Sequence, residues 1–234
     1  NISSLAEFIA LRYNGSHLIA ALITILCFIG VVPYIALQLD AITKSINLLA
    51  PGADESSSTM GLYVAALMAL FAILFGTRTL SLKEKHPGLL LTIAVESVIK
   101  LAGLTMVGWF VCYELFDGPL DIIGQAATHP VASQIIYADN AGWIYASHVL
   151  LGVCSMFVLP RQFHMNFVEN NADRELHTAR WLFPLYLLAI TAFILPIALA
   201  GSLLLDTRTV PSDLFVLALP LQSGNTLVAL IAFV

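Results

Sequence analysis

Charge is scarce in this 234-residue sequence. Only 11% of its residues are charged, 59% are hydrophobic, and the mean hydropathy is +0.89. Soluble domains carry roughly a quarter charged residues, so this composition excludes an ordinary soluble domain. No cluster of basic residues is present, and nucleic acid is therefore not expected as a partner. The composition predicts an integral membrane protein in contact with the lipid bilayer.

Cysteine and catalytic motifs are also rare. Cys27, Cys112 and Cys154 all lie in apolar runs, which favours buried packing over disulfides or metal ligation. No Ser-His-Asp, Cys-His, HExxH or phosphate-loop pattern is present, so no catalytic residue is predicted. His148 and His164 share one apolar span, but no second span offers the matching histidines that a bis-histidine haem requires. We therefore expect neither a metal nor a cofactor within this chain.

Five long apolar runs and one short run predict an all-α, polytopic bundle of membrane-spanning helices. Crossing a bilayer takes about twenty residues, and the last run stops short of that length. The predicted spans are residues 18–39, 59–77, 88–113, 142–165, 181–205 and 225–234. The chain opens without methionine or a signal peptide and closes inside an apolar run, so we expect residues 1–234 to be one incomplete domain of a longer protein. Small residues suited to close helix approach recur along the spans: Gly103, Gly108, Gly142, Gly152 and Gly201.

The segments outside the spans predict two surface helices and several turns. Near the N-terminus, Leu5 and Phe8 lie opposite Glu7 and Arg12, a pattern typical of a helix at the membrane interface. Residues 120–137 predict a second surface helix within a long connection. The remaining connections predict polar loops or turns, at residues 51–58, 78–87, 173–180 and 206–213.

Lysine and arginine are unevenly distributed between the two predicted sides of the membrane. Because cytoplasmic loops of membrane proteins are enriched in these residues, residues 1–16, 78–87 and 173–180 are predicted to be cytoplasmic. Lys100 lies inside a span. The predicted cytoplasmic side holds Arg12, Arg78, Lys83, Lys85, Arg161, Arg174 and Arg180, and the other side holds Lys44 and Arg208.

One span carries two opposite charges. Glu96 and Lys100 are four residues apart with the acid first, the better order for a helical ion pair. Charges at membrane depth are costly unless they are paired or face the bundle interior, so we expect a buried ion pair. The pair either fixes packing or takes part in gating or coupling. Glu96 and His164 are also candidate proton sites if water reaches them.

The span 142–165 is interrupted near its end by a proline and a polar run. Pro160 removes a backbone donor and clashes with the preceding turn, and Arg161, Gln162 and His164 follow at once. Interrupted backbone at membrane depth is tolerated where protein or a water-filled cavity receives it, and transporters use such helices to hold a solute or ion. A solute-binding break and a simple kink before an ordinary polar helix end are both open at this point.

Several stretches resemble the sodium:solute symporter superfamily, which contains the sodium/proline and sodium/glucose transporters. Residues 5–13 (LAEFIALRY) resemble a loop that precedes a span in that family, and residues 33–39 (PYIALQL) resemble the motif of the next span. Residues 84–89, 93–101 and 160–165 resemble more closely the symporter-like membrane domain of sensor histidine kinases of the CbrA type.

The resemblance implies a LeuT-like 5+5 inverted repeat, of which this chain would supply about the third core helix to the start of the eighth. It also implies cation-coupled uptake of a histidine-like amino acid in the bacterial inner membrane, with Na⁺ or H⁺ as the coupling ion. A kinase domain and its response regulator would be downstream partners. Alternatives are a non-transporting receptor domain and a stand-alone symporter. Solute contacts would come from Tyr34, Gln38, Pro160, Arg161 and Gln162.

Overall fold

The computed structural model describes residues 4–49, 57–76, 87–137, 141–168 and 173–233. These residues are almost entirely helical and include no strand, which confirms the predicted all-α class. The α-helices are α1 (Leu5–Arg12), α2 (His17–Leu49), α3 (Ser57–Phe71), α4 (Pro87–Phe110), α5 (Pro119–Thr128), α6 (Ser133–Ile136), α7 (Ala141–Val158), α8 (Pro160–Phe163), α9 (Asp173–Thr191), α10 (Ile194–Leu204), α11 (Phe215–Gln222) and α12 (Thr226–Phe233).

Three helical segments are long and apolar enough to cross a membrane: His17–Leu49, Leu91–Leu115 and His177–Leu204. A fourth span results if the bent pair Ala141–Ser155 and Pro160–Phe167 is counted as one. The chain is therefore a membrane protein. The predicted loop at 78–87, apart from Pro87 at the start of α4, and most of the predicted turn at 51–58 lie outside the described residues.

Two helices extend beyond their predicted bounds. α2 contains Pro33 without interruption and continues past Leu39, the predicted end of its span, to Leu49. The polar turn predicted at residues 173–180 is wrong, because α9 begins at Asp173 and runs through this stretch. A sequence opening with Asp-Arg-Glu suits a helix start as well as a turn, since acidic residue types favour the N-terminal turn.

The fifth predicted span is made of two helices. α9 ends at Thr191 and α10 begins at Ile194. Pro196 has no N–H to donate to the carbonyl of Ala192, four residues earlier, and the interruption falls at that carbonyl. Pro184, by contrast, lies inside the continuous α9.

The residues divide into two compact units. The first unit, Asn1–Lys85 with Gly142–Leu176, contains α1, α2, α3, α7 and α8. The Ser4 hydroxyl caps α1 by accepting from the Glu7 N–H at 3.2 Å. The helix ends in a turn that Gly15 makes with a positive φ of 70°. Thr43 of α2 is buried where α2 packs against α3, and its Oγ1 lies 3.7 Å from the position that a Cβ at Gly61 would occupy.

The second unit, His86–Ala141 with His177–Val234, contains a tighter core. α5 lies against α10 and buries Ile122 and Ala126 completely. The predicted surface helix at 120–137 consists of two short helices, α5 and α6, which are separated at His129-Pro130. Residues 206–213 form the predicted turn, in which Asp206 Oδ1 accepts from the Arg208 N–H at 3.0 Å.

Two glycines of the second unit accommodate phenylalanine rings. The ring of Phe193 occupies the space beside Gly108, and the ring of Phe215 occupies the space beside Gly201. A Cβ at either glycine would overlap the ring. Phe215 is only 3% exposed, so it has little room to move away. These glycines therefore set how closely their helices approach.

Candidate functional site

The membrane helix that contains Pro160 is interrupted, as predicted. α7 ends at Val158, and Leu159 is extended, with φ −67° and ψ 124°. The helical segments on the two sides differ in direction by 52°. Because Pro160 has no N–H, the Met156 carbonyl loses its intrahelical donor. The chain resumes as a helix at once, since the Phe163 N–H donates to the Leu159 carbonyl at 2.9 Å.

The helical segment after the break is short and ends in a π-helical turn. α8 contains only four residues and continues into a π-helical turn, His164–Val168. Similar π-turns end two other apolar helices, at Ala72–Gly76 and Val111–Leu115. π-turns inside helical segments are rare overall, but they occur frequently at functional sites. The stretch after the break therefore departs from the regular α-helix at His164–Val168.

A row of phenylalanines, the aromatic row, links α1 to both sides of the break. Phe8 of α1 packs against Phe163 of α8 with ring centroids 5.6 Å apart. Phe163 in turn lies 5.0 Å from Phe167, and Phe167 lies 6.4 Å from Phe157 of α7. The Arg12 guanidinium sits over the Phe8 ring, 5.6 Å from its centroid. The N-terminal helix is thus attached to the segment that follows Pro160.

Truncating Phe8 to alanine is expected to release α1. The loss of the ring contact and of part of its buried area should cost about 1 to 2 kcal/mol. Limited trypsin cleavage at Arg12 should accelerate, because the helix that protects this bond is no longer docked. Leu11→Ala on the same helix is the matched control, since Leu11 is 58% exposed. Equal cleavage rates in the two variants would show that the aromatic row does not hold α1.

The five predicted solute-contact residues fall into two groups, one on α2 and one directly after the break. Tyr34 and Gln38 of α2 are exposed, Arg161 and Gln162 are exposed, and Pro160 is half-buried. All five belong to the first unit. Within the described residues, no hydrogen bond, ion pair or ring contact links Tyr34 or Gln38 to residues 160–162. Their joint role in holding a solute stays a prediction.

The predicted ion pair of α4 is formed. Lys100 Nζ lies 2.5 Å from Glu96 Oε1. The burial predicted for the pair is not provided by the described part of this chain, because the side chains are 60% exposed for Lys100 and 48% for Glu96. At 1.5 Å of rise per residue, Glu96 lies about 8 Å and Lys100 about 14 Å along the span that begins at Leu91. Two charges therefore occupy an outward face of a membrane helix.

A groove adjoins this pair. Its volume is about 360 Å³, and Leu91, Thr92, Val95, Glu96 and Ile99 line it. The Thr92 hydroxyl donates to the Gly88 carbonyl at 2.9 Å, which leaves its oxygen able to accept a further hydrogen bond. Thr92 was not among the predicted site residues. Its position four residues before Glu96 indicates that it shares the face of the pair, because residues four apart are neighbours on a helix.

The histidines that the structure describes are not gathered into a site. His164 is half-buried in the π-turn of the first unit, whereas Glu96 belongs to the second. His148 Nδ1 lies 2.7 Å from the Ile144 carbonyl of its own helix. No group of three or more His, Cys, Asp or Glu side chains suited to a metal ion lies within the described residues.

Fold and site together define an α-helical membrane protein whose described residues include a span bent at Pro160 and an exposed ion pair on α4. No family model, curated protein or solved structure matches this chain. The family and the function are therefore proposed from the residues and their geometry.

Proposed function

We propose that this chain is part of a solute-binding, transporting membrane domain of the sodium:solute symporter kind. The observation that carries the proposal is the break between Leu159 and Pro160, with its 52° bend and the exposed Arg161 and Gln162 directly after it. Irregular backbone in a membrane helix needs polar surroundings, and a bound solute with its water supplies them. The proposed architecture is the LeuT-like 5+5 inverted repeat, with the break in its sixth core helix.

The proposed solute is an amino acid of the histidine class, held by Tyr34, Gln38 and residues 160–162. Uptake is driven by Na⁺ or H⁺, and Glu96 and His164 are the proton sites in the second case. The domain lies in the bacterial inner membrane with residues 1–16 in the cytoplasm, consistent with the excess of Lys and Arg on that side. It is coupled to a sensor histidine kinase that signals to a response regulator.

Replacing Pro160 by alanine tests the role of the break. Alanine restores the N–H that the Met156 carbonyl lacks, so the helix is expected to straighten and solute affinity to fall at least tenfold. Binding of labelled L-histidine to the full-length protein in nanodiscs measures this. Pro184→Ala is the matched control, because Pro184 lies inside a helix without interrupting it. Unchanged affinity in Pro160→Ala would remove the break from the solute site.

Uptake into proteoliposomes separates transport from sensing. A transporter accumulates labelled L-histidine when a Na⁺ or H⁺ gradient is imposed, and the gradient that drives accumulation identifies the coupling ion. Binding with kinase phosphorylation but without accumulation would identify a receptor. Absence of binding to any of the twenty amino acids would contradict the proposed function.

A further inference from the structure

We infer that Glu96 and Lys100 of α4 form a recognition site for the charged groups of a zwitterionic amino acid. The Lys100 ammonium receives the α-carboxylate, and the Glu96 carboxylate receives the α-ammonium. The inference rests on the proposed function for the class of solute, and it adds a ligand site in the second unit.

The face of α4 that carries the pair lies inside an apolar span. The pair lies within an apolar span, yet about half of each side chain is exposed. A charged side chain facing lipid at the helix centre costs about 2.5 to 3.5 kcal/mol on insertion scales, and such residues face a bundle interior or a water-filled cavity. In the proposed site, the face that carries Thr92, Glu96 and Lys100 lines an aqueous space that a polar solute can enter.

The charges of the pair complement those of a zwitterionic amino acid. The two opposite charges are adjacent, with Lys100 Nζ 2.5 Å from Glu96 Oε1. In a free amino acid the ammonium and the carboxylate are bonded to the same carbon, so the two charges are also adjacent. Placed antiparallel, the zwitterion makes two charge-assisted hydrogen bonds at once, the stronger kind of hydrogen bond in proteins. A solute with only one of the two charges leaves one side chain of the pair without a ligand partner.

The side chain of the solute would lie in the groove beside Glu96. The groove beside Glu96 is about 360 Å³ and is lined by Leu91, Val95 and Ile99, with the Thr92 oxygen as a polar contact. The groove is open, and its described lining lies on one face of α4. It would therefore contact one side of a medium-sized amino-acid side chain, and the Thr92 oxygen can accept from an imidazole N–H.

The test is equilibrium binding of labelled L-histidine to the full-length protein in nanodiscs, with two analogues as competitors. Histamine lacks the carboxylate, and imidazole propionate lacks the ammonium. The wild-type protein is expected to bind both at least tenfold more weakly than L-histidine. The neutral double variant Glu96→Gln/Lys100→Met should bind one L-histidine fewer per protein, while binding at residues 160–162 is retained. The charge-swapped variant Glu96→Lys/Lys100→Glu keeps the pair but reverses it relative to the groove, and it should lose the same bound L-histidine.

The chain contains a matched control. Asp40 and Lys44 of α2 form an ion pair of the same spacing and order, with Nζ 2.6 Å from Oδ2 and both side chains partly exposed. Asp40→Asn/Lys44→Met should leave affinity and discrimination unchanged. If the charge-swapped variant or the neutral double variant binds L-histidine like the wild type, the inference is wrong while the proposed function stands. If the wild type binds no amino acid, both are wrong.

Discussion

Replacement of Gly201 by alanine is expected to destabilise the second unit by about 1 to 3 kcal/mol, the usual cost of overpacking a filled core. The added Cβ would overlap the ring of Phe215, and the Cε2 atom of that ring would lie only 2.7 Å away. Alanine favours helix over glycine by about 1 kcal/mol, so the overlap must outweigh a local gain. Unfolding of the detergent-solubilised protein, followed by circular dichroism in increasing denaturant, measures the effect.

Two companion variants make this result specific. Gly30→Ala introduces the same change in α2, where a Cβ meets nothing within 4 Å, and should be neutral or slightly stabilising. Adding Phe215→Leu to Gly201→Ala should recover part of the loss, because the two positions are in contact and their effects are not additive. Equal losses in Gly201→Ala and Gly30→Ala would contradict the close packing seen at Phe215.

Replacing Lys100 by methionine alone is expected to lower stability by up to about 1 kcal/mol, because it leaves the Glu96 carboxylate, 48% exposed, without the Lys100 ammonium. Replacing both residues, Glu96→Gln with Lys100→Met, should cost less, since neither charge of the pair remains. The same denaturation experiment compares the two proteins. A double variant as unstable as the single one would show that pairing does not set the cost.

These stability measurements and the affinity measurements address different properties of the same two side chains. A double variant that remains folded but binds one L-histidine fewer per protein would assign the pair to recognition. One that is folded and binds as many L-histidine molecules as the wild type would assign it to stability alone.

Much of the secondary structure follows from the sequence because apolar run length and proline position are local properties. The break at Pro160 was predictable, since a residue without an N–H interrupts helix hydrogen bonding wherever it occurs in an interior turn. Yet Pro33 and Pro184, which also remove a hydrogen bond, leave their helices continuous. Proline alone therefore does not decide between a tolerated and a broken helix. The break was predicted at Pro160 and not at the other two prolines because polar residues follow Pro160.

Side-chain environments were less predictable, because they depend on which helices meet. Gly103, Gly108 and Gly201 lie at close helix contacts as expected, whereas a Cβ at Gly142 or Gly152 would meet nothing within 4 Å. The spacing of Glu96 and Lys100 predicted their pairing but not their exposure. Helical spacing determines which residues of one helix are neighbours, and only tertiary packing determines what covers them.

The aromatic row ties the geometry at Leu159 to a distant part of the chain. Phe163 moves with the segment beyond the break, and Phe8 rests on Phe163. Straightening the 52° bend would shift Phe163 and is expected to disturb its contact with Phe8, while α1 keeps its packing against α2. A fluorophore attached at exposed Tyr13, just past the end of α1, would report that change in real time. The short N-terminal helix is thus a mechanical indicator of how far the interrupted helix has straightened.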